Sequence, residues 1–379
     1  SEAAQHHRVY LRRTVEPARG RTCPMKVLVL DDGVAANRNQ ALGIALLLEG
    51  EPTVFPVRFG GPSYTLPGRR GTTSIWPRLL SVLCWAGCWN VASSVYRRTV
   101  NTPPFPRETP DVVASAGSFL APVNLLIARR TGAASVTSML PEGLPLQLFD
   151  AVILPRHDAR RLKFVPENAI VIDGVPTPIR PDRLASEAEK LASAAPPRGT
   201  LKVGLLIGGN DQHYLITRDW CETLFGVLAR MPDTSLYVTT SRRTPPGVVE
   251  VLRRQNPPNL VYREFPDSGG ASHYLGILGL CDALIVTEDS VNMVFEALDA
   301  RRPLLVLGVR RRPERMPHSE ETLRELVSRG CCQRLSASEM AQIPEALSRL
   351  GRARHDGETR RDISPALRDL LVRAKKRRA

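Results

Sequence analysis

The sequence predicts an α/β protein built from two doubly wound Rossmann-like domains facing a cleft. Three observations predict it. Short apolar runs end in polar or glycine turns and lead into helical patterns, the signature of βα units. That pattern stops in a proline-rich, charged stretch near 176–200 and then restarts. The length of 379 residues, with 42% hydrophobic residues, suffices for two cores of ordinary size.

The first βα unit is Lys26 to Leu30, then Asp31-Asp32-Gly33, then a helical pattern from Asn39 to Leu48. Val54 to Phe59 reads as the next strand. Asp111 to Ala114 runs into Ser115-Ala116-Gly117-Ser118 and a helix from Leu120 to Arg130. Ala134 to Thr137 and Ala151 to Leu154 are further short strands. After the break, Lys202 to Ile207 ends in Gly208-Gly209-Asn210, and a helix runs from Thr217 to Met231. Ser235 to Thr239 ends in Thr240-Ser241-Arg242-Arg243, and Asp282 to Val286 ends in Thr287-Glu288-Asp289-Ser290. Leu304 to Leu307 follows. Alternating strands and helices argue for parallel sheets covered on both faces. The expected division is an N-terminal extension (1–24), a first domain (25–178), a linker (179–200), a second domain (201–360) and a basic C-terminal helix or tail (361–379).

The net charge of +14 suits an anionic partner, or reflects broad use of arginine along the chain. No zinc-finger or RNA-recognition motif accompanies the charge, so no nucleic acid is expected. Seven irregularly spaced cysteines read as reduced thiols in a cytoplasmic protein, with no metal site. The uncharged run Leu79 to Tyr96 carries Trp85 and Trp89 between Arg78 and Arg97-Arg98. Its eighteen residues fit an interfacial helix, a buried helix or the lower limit of a membrane span.

In a parallel α/β sheet, ligands bind in the loops at the carboxyl ends of the strands. Four such loops stand out: Asp31 to Gln40, Ser115 to Ser118, Gly208 to Asp211 and Thr287 to Ser290. Gly208-Gly209 allows backbone approach to an anion, although a plain turn uses the same pair. Ser290 or Asp289 can cap a helix whose free N–H groups would hold a phosphate. Glu296 lies nearly two turns further on, where it reads as a ribose ligand or as a surface side chain. Arg242 and Arg243 match phosphate oxygens or are solvated. Asp31 and Asp32 serve either as a base toward a hydroxyl or as turn closers, and His157 follows a strand as an alternative acid or base.

Phe149 to Asp158, Val286 to Ala297, Thr240 to Pro245, Asp32-Gly33 and Asn39-Gln40 resemble the mitochondrial fission family of elongated-mitochondria proteins, over roughly residues 26 to 330. Plant members of that family recruit a dynamin-related protein, which implies a membrane-surface adaptor with a protein partner. Glu288 stands where the family pattern has alanine, which implies a change in loop charge. The same landmarks resemble GT-B glycosyltransferases, above all the peptidoglycan N-acetylglucosaminyltransferase that acts on a lipid-linked acceptor. Asp111 to Ala128, Asn168 to Pro176 and Asp282 to Pro303 carry that likeness, with Glu296 at the position of the ribose-binding glutamate. This resemblance implies a metal-independent transferase with a nucleotide-sugar donor of the uridine type and no permanently bound cofactor. Gly208, Gly209, Asn210, Ser241, Arg242, Arg243, Thr287, Asp289, Ser290 and Glu296 would form the donor side. Gly33, Asn37, Gln40, Ser115 and Gly117 would form the acceptor side. The histidine of the enzyme's first loop has no counterpart here, so Asp32 or His157 would be the base. The adaptor reading keeps the fold for binding alone, at the inner face of a membrane.

Overall fold

A computed structural model describes residues 24–61, 63–65, 72–266, 272–312, 318–352 and 362–378. The expectation for an N-terminal extension lies almost wholly outside the described residues. The first sheet comprises β1 (Lys26–Asp31), β2 (Glu51–Pro56), β3 (Val112–Ala116), β4 (Ala134–Ser138), β5 (Ala151–Pro155) and β6 (Ala169–Ile172). All six strands are parallel, in the order β2-β1-β3-β4-β5-β6. Helices α1 (Ala35–Leu47), α2 (Trp76–Trp85), α3 (Trp89–Thr99) and α4 (Ala121–Thr131) connect them. After α5 (Pro181–Ala194), the second sheet repeats the plan with β7 (Leu201–Ile207), β8 (Thr234–Thr240), β9 (Leu260–Glu264), β10 (Ala283–Thr287), β11 (Leu304–Leu307) and β12 (Gln333–Leu335). It too is parallel, in the order β9-β8-β7-β10-β11-β12. Its helices include α6 (Arg218–Leu228), α7 (Pro246–Arg254), α8 (Tyr274–Leu280), α9 (Val291–Asp299), α10 (His318–Ser328) and α11 (Ile343–Arg352).

Each sheet separates two apolar layers. One face of the first carries Leu28, Leu30, Val113 and Val152 against α2, α3 and α4, and the other carries Val27, Val29, Ala114 and Ile153 against α1. The inner strands β3, β5 and β10 are buried along their whole length. A strand buried on both faces shows a continuous apolar run, which is why these were legible in the sequence. The edge strands β6, β9 and β12 were not legible, being only half-buried, and β2, largely exposed, was legible only in part. Pairing with Lys26–Asp31 also sets β2 at Glu51–Pro56, ahead of the expected 54–59.

Two segments differ from expectation in consequential ways. The apolar run 79–96 is two helices, parted at Ala86–Cys88 where Gly87 takes φ +73°. Among the described residues no helix is long and apolar enough to cross a membrane. The stretch 179–200 is mostly helix α5, whose Leu184 and Leu191 pack on α8. That approach is close: a Cβ on Gly279 would lie 2.4 Å from the Leu184 carbonyl oxygen. The last helix, α12 (Ser364–Arg378), returns to the first sheet and buries Ile363, Leu367 and Leu371 beside Val29 and Ile44, leaving Lys375, Lys376 and Arg377 exposed.

Candidate functional site

In both sheets the chain adds strands outward and then returns to the other side of its first strand. These switch points lie between β1 and β3 and between β7 and β10. The loops flanking them are the four that the sequence singles out, and a switch point is where the crevice of an open α/β sheet forms.

In the first domain, Asp31 Oδ1 accepts the Gly33 N–H at 2.9 Å, and Asp32 Oδ1 accepts the Val34 N–H at 3.0 Å. Asp32 Oδ2 accepts from Asn37 Nδ2 at 2.8 Å. The two carboxylates thus close the turn into α1, which starts at Ala35 without a side-chain cap. Burial raises the Asp32 pKa above the ordinary carboxylate value, while the Val34 and Asn37 bonds oppose that rise. Gly33 and Gly117 both hold positive φ, and a Cβ on Gly117 would sit 3.5 Å from the Asn37 amide. These residues form one small group at the crevice.

Two acceptor-side expectations require correction. Ser115 is fully buried, accepting from Asn124 Nδ2 at 2.9 Å and donating to Thr137 Oγ1 at 3.1 Å. Gln40 is also buried, with its Oε1 accepting from Ser138 at 2.9 Å. Both knit neighbouring elements together instead of facing a ligand. The reason is direction: Ser115, within β3, and Gln40, on the inward face of α1, both point into the packed layers of the domain. His157 lies in one helical turn after β5 and lines a small pocket with Phe295, Thr322, Glu325 and Leu326.

In the second domain, much of the loops' hydrogen-bonding capacity is used internally. Gly208 N–H donates to Thr287 Oγ1 at 2.7 Å, and Gly209 N–H donates to Asp289 Oδ2 at 2.7 Å. The two glycines are required sterically, since a Cβ on Gly208 would meet Asp289 Oδ2 at 2.2 Å and one on Gly209 would meet the Arg243 backbone at 2.1 Å. Asp289 therefore sits where the sequence reading placed an anion. Its carboxyl is buried and raised to about 6 by desolvation, and its Oδ1 has no hydrogen-bond partner. Arg243 is held between carboxylates, at 3.2 Å from Asp289 and 3.5 Å from Asp211. Asn210 accepts the Ile216 N–H at 2.7 Å, and Ser241 Oγ accepts the Arg243 N–H at 3.1 Å, so both shape their loops.

What remains open to a ligand is narrower. Ser290 precedes α9 with no side-chain cap on that helix, leaving the polarity of its first turn available to an anion. Arg242 is exposed and donates to the Gly33 carbonyl across the crevice at 3.3 Å. Glu296 projects from the second turn of α9 and is buried. It accepts from Tyr274 OH at 2.5 Å and from Asn39 Nδ2 of the first domain at 3.0 Å. Burial and the neighbouring carboxylate push the Tyr274 phenol well above its usual pKa, keeping it a donor. Tyr274 and Asn39 were not singled out as site residues, and no local pattern joins them to Glu296: they lie 22 and 257 positions away.

Glu288 also departs from expectation. Its carboxylate does not charge the loop but turns inward, accepting the Val309 N–H at 3.1 Å and pairing with Arg311 at 3.1 Å and with Arg334. Glu320 completes the cluster, at 2.5 Å from Arg311 and 2.8 Å from Arg334. With Arg324 a third partner at 3.0 Å from Glu320, two buried acids and three arginines thus tie the loop after β10 to β12 and α10.

Comparison with known proteins agrees with this architecture. The chain is 20% identical over 312 residues to the uncharacterized protein RP120 of Rickettsia prowazekii (strain Madrid E), covering 74% of this chain and 83% of that protein. Among solved structures, it resembles a UDP-GlcNAc 2-epimerase from Neisseria meningitidis bound to UDP-GlcNAc, with TM-score 0.52 and 15% identity over 92% of this chain and 100% of that one. It also resembles the Methanocaldococcus jannaschii UDP-GlcNAc 2-epimerase in complex with UDP-GlcNAc and UDP, with TM-score 0.50 and 13% identity over 92% and 100% of the two chains. At such identities the likeness establishes the fold alone, which is of the GT-B type. The family model described as mitochondrial fission ELM1 matches residues 35–350, from α1 into α11, and the chain accordingly belongs to the mitochondrial fission ELM1 family.

Proposed function

We propose that the chain binds a nucleotide sugar of the uridine type at the second domain and acts as a metal-independent glycosyltransferase. The observation that carries this reading is α9: an N-terminus without a side-chain cap beside Ser290, exposed Arg242 in the loop after β8 of the same domain, and Glu296 in the second turn of the same helix. A diphosphate fits the helix end and the guanidinium, and a ribose diol fits the carboxylate. Dipole and guanidinium would stabilise a leaving diphosphate as charge develops on it. The solved neighbours that hold UDP-GlcNAc lend the uridine assignment its chemistry. Asp32 is the base in this reading: it stands in the first-domain loop at the crevice, and burial raises its pKa, which strengthens it as a proton acceptor.

Calorimetric titration with UDP and UDP-GlcNAc tests the proposal. Binding is expected in the parent protein, and Glu296→Ala should weaken it by about 1–3 kcal/mol through loss of a charge-assisted hydrogen bond. Heat from neither ligand in the parent, nor from other common nucleotides, would overturn it.

A second reading, a membrane-surface adaptor that keeps the scaffold for binding, is favoured by the α2–α3 hairpin. Leu79, Val82, Trp85 and Val91 are exposed there, Trp85 to 66%. Arg97 and Arg98 close α3, and Arg129 stacks over Trp89 at 4.9 Å. An amphipathic tryptophan rimmed by arginines suits an anionic lipid interface. Co-sedimentation with anionic vesicles should fall with salt and drop several-fold in Trp85→Ser. Equal recovery of parent and variant at every lipid composition would remove this surface from consideration.

A further inference from the structure

The donor-side carboxylate is covered by the opposite domain. Glu296 is 6% exposed, with Tyr274 on one oxygen and Asn39 of α1 on the other. A second bridge is independent of the first: Arg242 donates to the carbonyl of Gly33, in the loop that leads into α1. Both bridges run from the same short segment, residues 33–39, to the two side chains best placed to hold a nucleotide. A ribose ring cannot reach Glu296 while Asn39 Nδ2 stands 3.0 Å from its Oε1. Nor can Arg242 turn fully to a diphosphate while it serves the Gly33 carbonyl.

We infer that segment 33–39 of the first domain is a built-in plug of the second domain's nucleotide site, and that Asn39 is the positioning residue through which nucleotide occupancy opens the cleft. The inference rests on the nucleotide reading given above and adds its regulation. The physics is a competition for acceptors and donors. In the closed state, Asn39 gives Glu296 a charge-assisted bond that a ribose hydroxyl would otherwise supply. The ligand binds the open state, so its apparent affinity is reduced by the fraction of molecules that are open. Removing the Asn39 amide raises that fraction without touching Glu296, Arg242 or α9. Occupancy in turn frees segment 33–39 from its two bridges to the second domain and opens the acceptor side to an incoming hydroxyl. In an adaptor, the same release would change the surface offered to a partner.

The test uses the full chain as parent, Asn39→Ala and Asn39→Asp. The aspartate places a second carboxylate against Glu296 and so drives the cleft apart at neutral pH. UDP is titrated by calorimetry, and small-angle X-ray scattering follows the separation of the domains with and without UDP. Both variants are expected to bind UDP about tenfold more tightly than the parent and to show, without ligand, the larger radius of gyration that the parent reaches only with UDP. Unchanged affinity and unchanged scattering in both variants would overturn the plug. So would weaker binding in Asn39→Ala, which would make Asn39 a support for Glu296 in the bound state. Failure of UDP to bind any of the three proteins sinks the nucleotide reading instead, and the scattering of the unliganded variants still decides whether Asn39 holds the cleft shut.

Discussion

Arg334→Met should cost the second domain about 3–5 kcal/mol of stability, because it leaves Glu288 and Glu320 buried with a main cationic partner removed. Both carboxylates are almost fully enclosed, at 3% and 5% side-chain exposure, so solvent offers them little screening. Arg311 would remain for both acids and Arg324 for Glu320, but both arginines are more exposed than Arg334. The measurement is urea denaturation, and a loss below about 1 kcal/mol would show that the cluster is mainly solvated. A pH dependence accompanies it. The Arg334 hydrogen bond, opposed by burial and reinforced by the charge of Arg311, holds the Glu320 carboxyl at about 2, below its ordinary 4.5. A depressed folded-state pKa gives stability that is complete above the unfolded value and is lost as pH falls through the folded one. The parent should therefore lose about 3 kcal/mol between roughly pH 5 and pH 2 from this group. Arg334→Met should lose less over that window, having already forfeited the interaction.

Asp32→Asn should reduce transferase turnover by about two to four orders of magnitude while leaving UDP affinity nearly unchanged. The substitution preserves the turn: an amide oxygen still accepts the Val34 N–H, and Asn37 can present its own oxygen to the new NH2 group. The proton acceptor alone is removed. Turnover in the parent should fall as pH drops through the raised Asp32 pKa, and this limb should vanish in the variant. His157 serves as the comparison, since it lines a pocket against Phe295 and α10 on the far side of α9. Parent-level turnover in the Asp32→Asn, His157→Gln double variant would overturn the assignment of either group as the base, whereas no turnover in the parent with any nucleotide sugar would leave a GT-B scaffold used for binding, with the exposed Trp85 surface as its principal feature.

Much of the fold was legible in the residues. Inner strands such as Val112–Ala116 and Ala283–Thr287 are buried on both faces, so each is a mainly apolar run that needs no partner to be recognised. The loops that follow them were legible for the same reason, because a parallel sheet sends every strand's carboxyl end to one edge. The order of the strands and the two switch points then bring those loops together. Edge strands such as Leu260–Glu264 and Gln333–Leu335 were hidden, and Glu51–Pro56 was read three residues late, because one side of each meets solvent and the apolar signal is diluted.

What each loop side chain does was settled by packing across long sequence separations. Asp289 turns onto the Gly209 N–H, Glu288 onto Arg311 and Arg334, and Glu296 onto Asn39. Ser115 and Gln40 are drawn into the layer behind the crevice, and Trp85 is left outside. Sequence alone yields the βα periodicity, since that is a local competition between burial and backbone hydrogen bonding. A buried carboxylate must find a donor wherever the fold brings one, and those donors come from elements 21 to 257 positions away. No periodicity encodes that choice; the three-dimensional arrangement makes it.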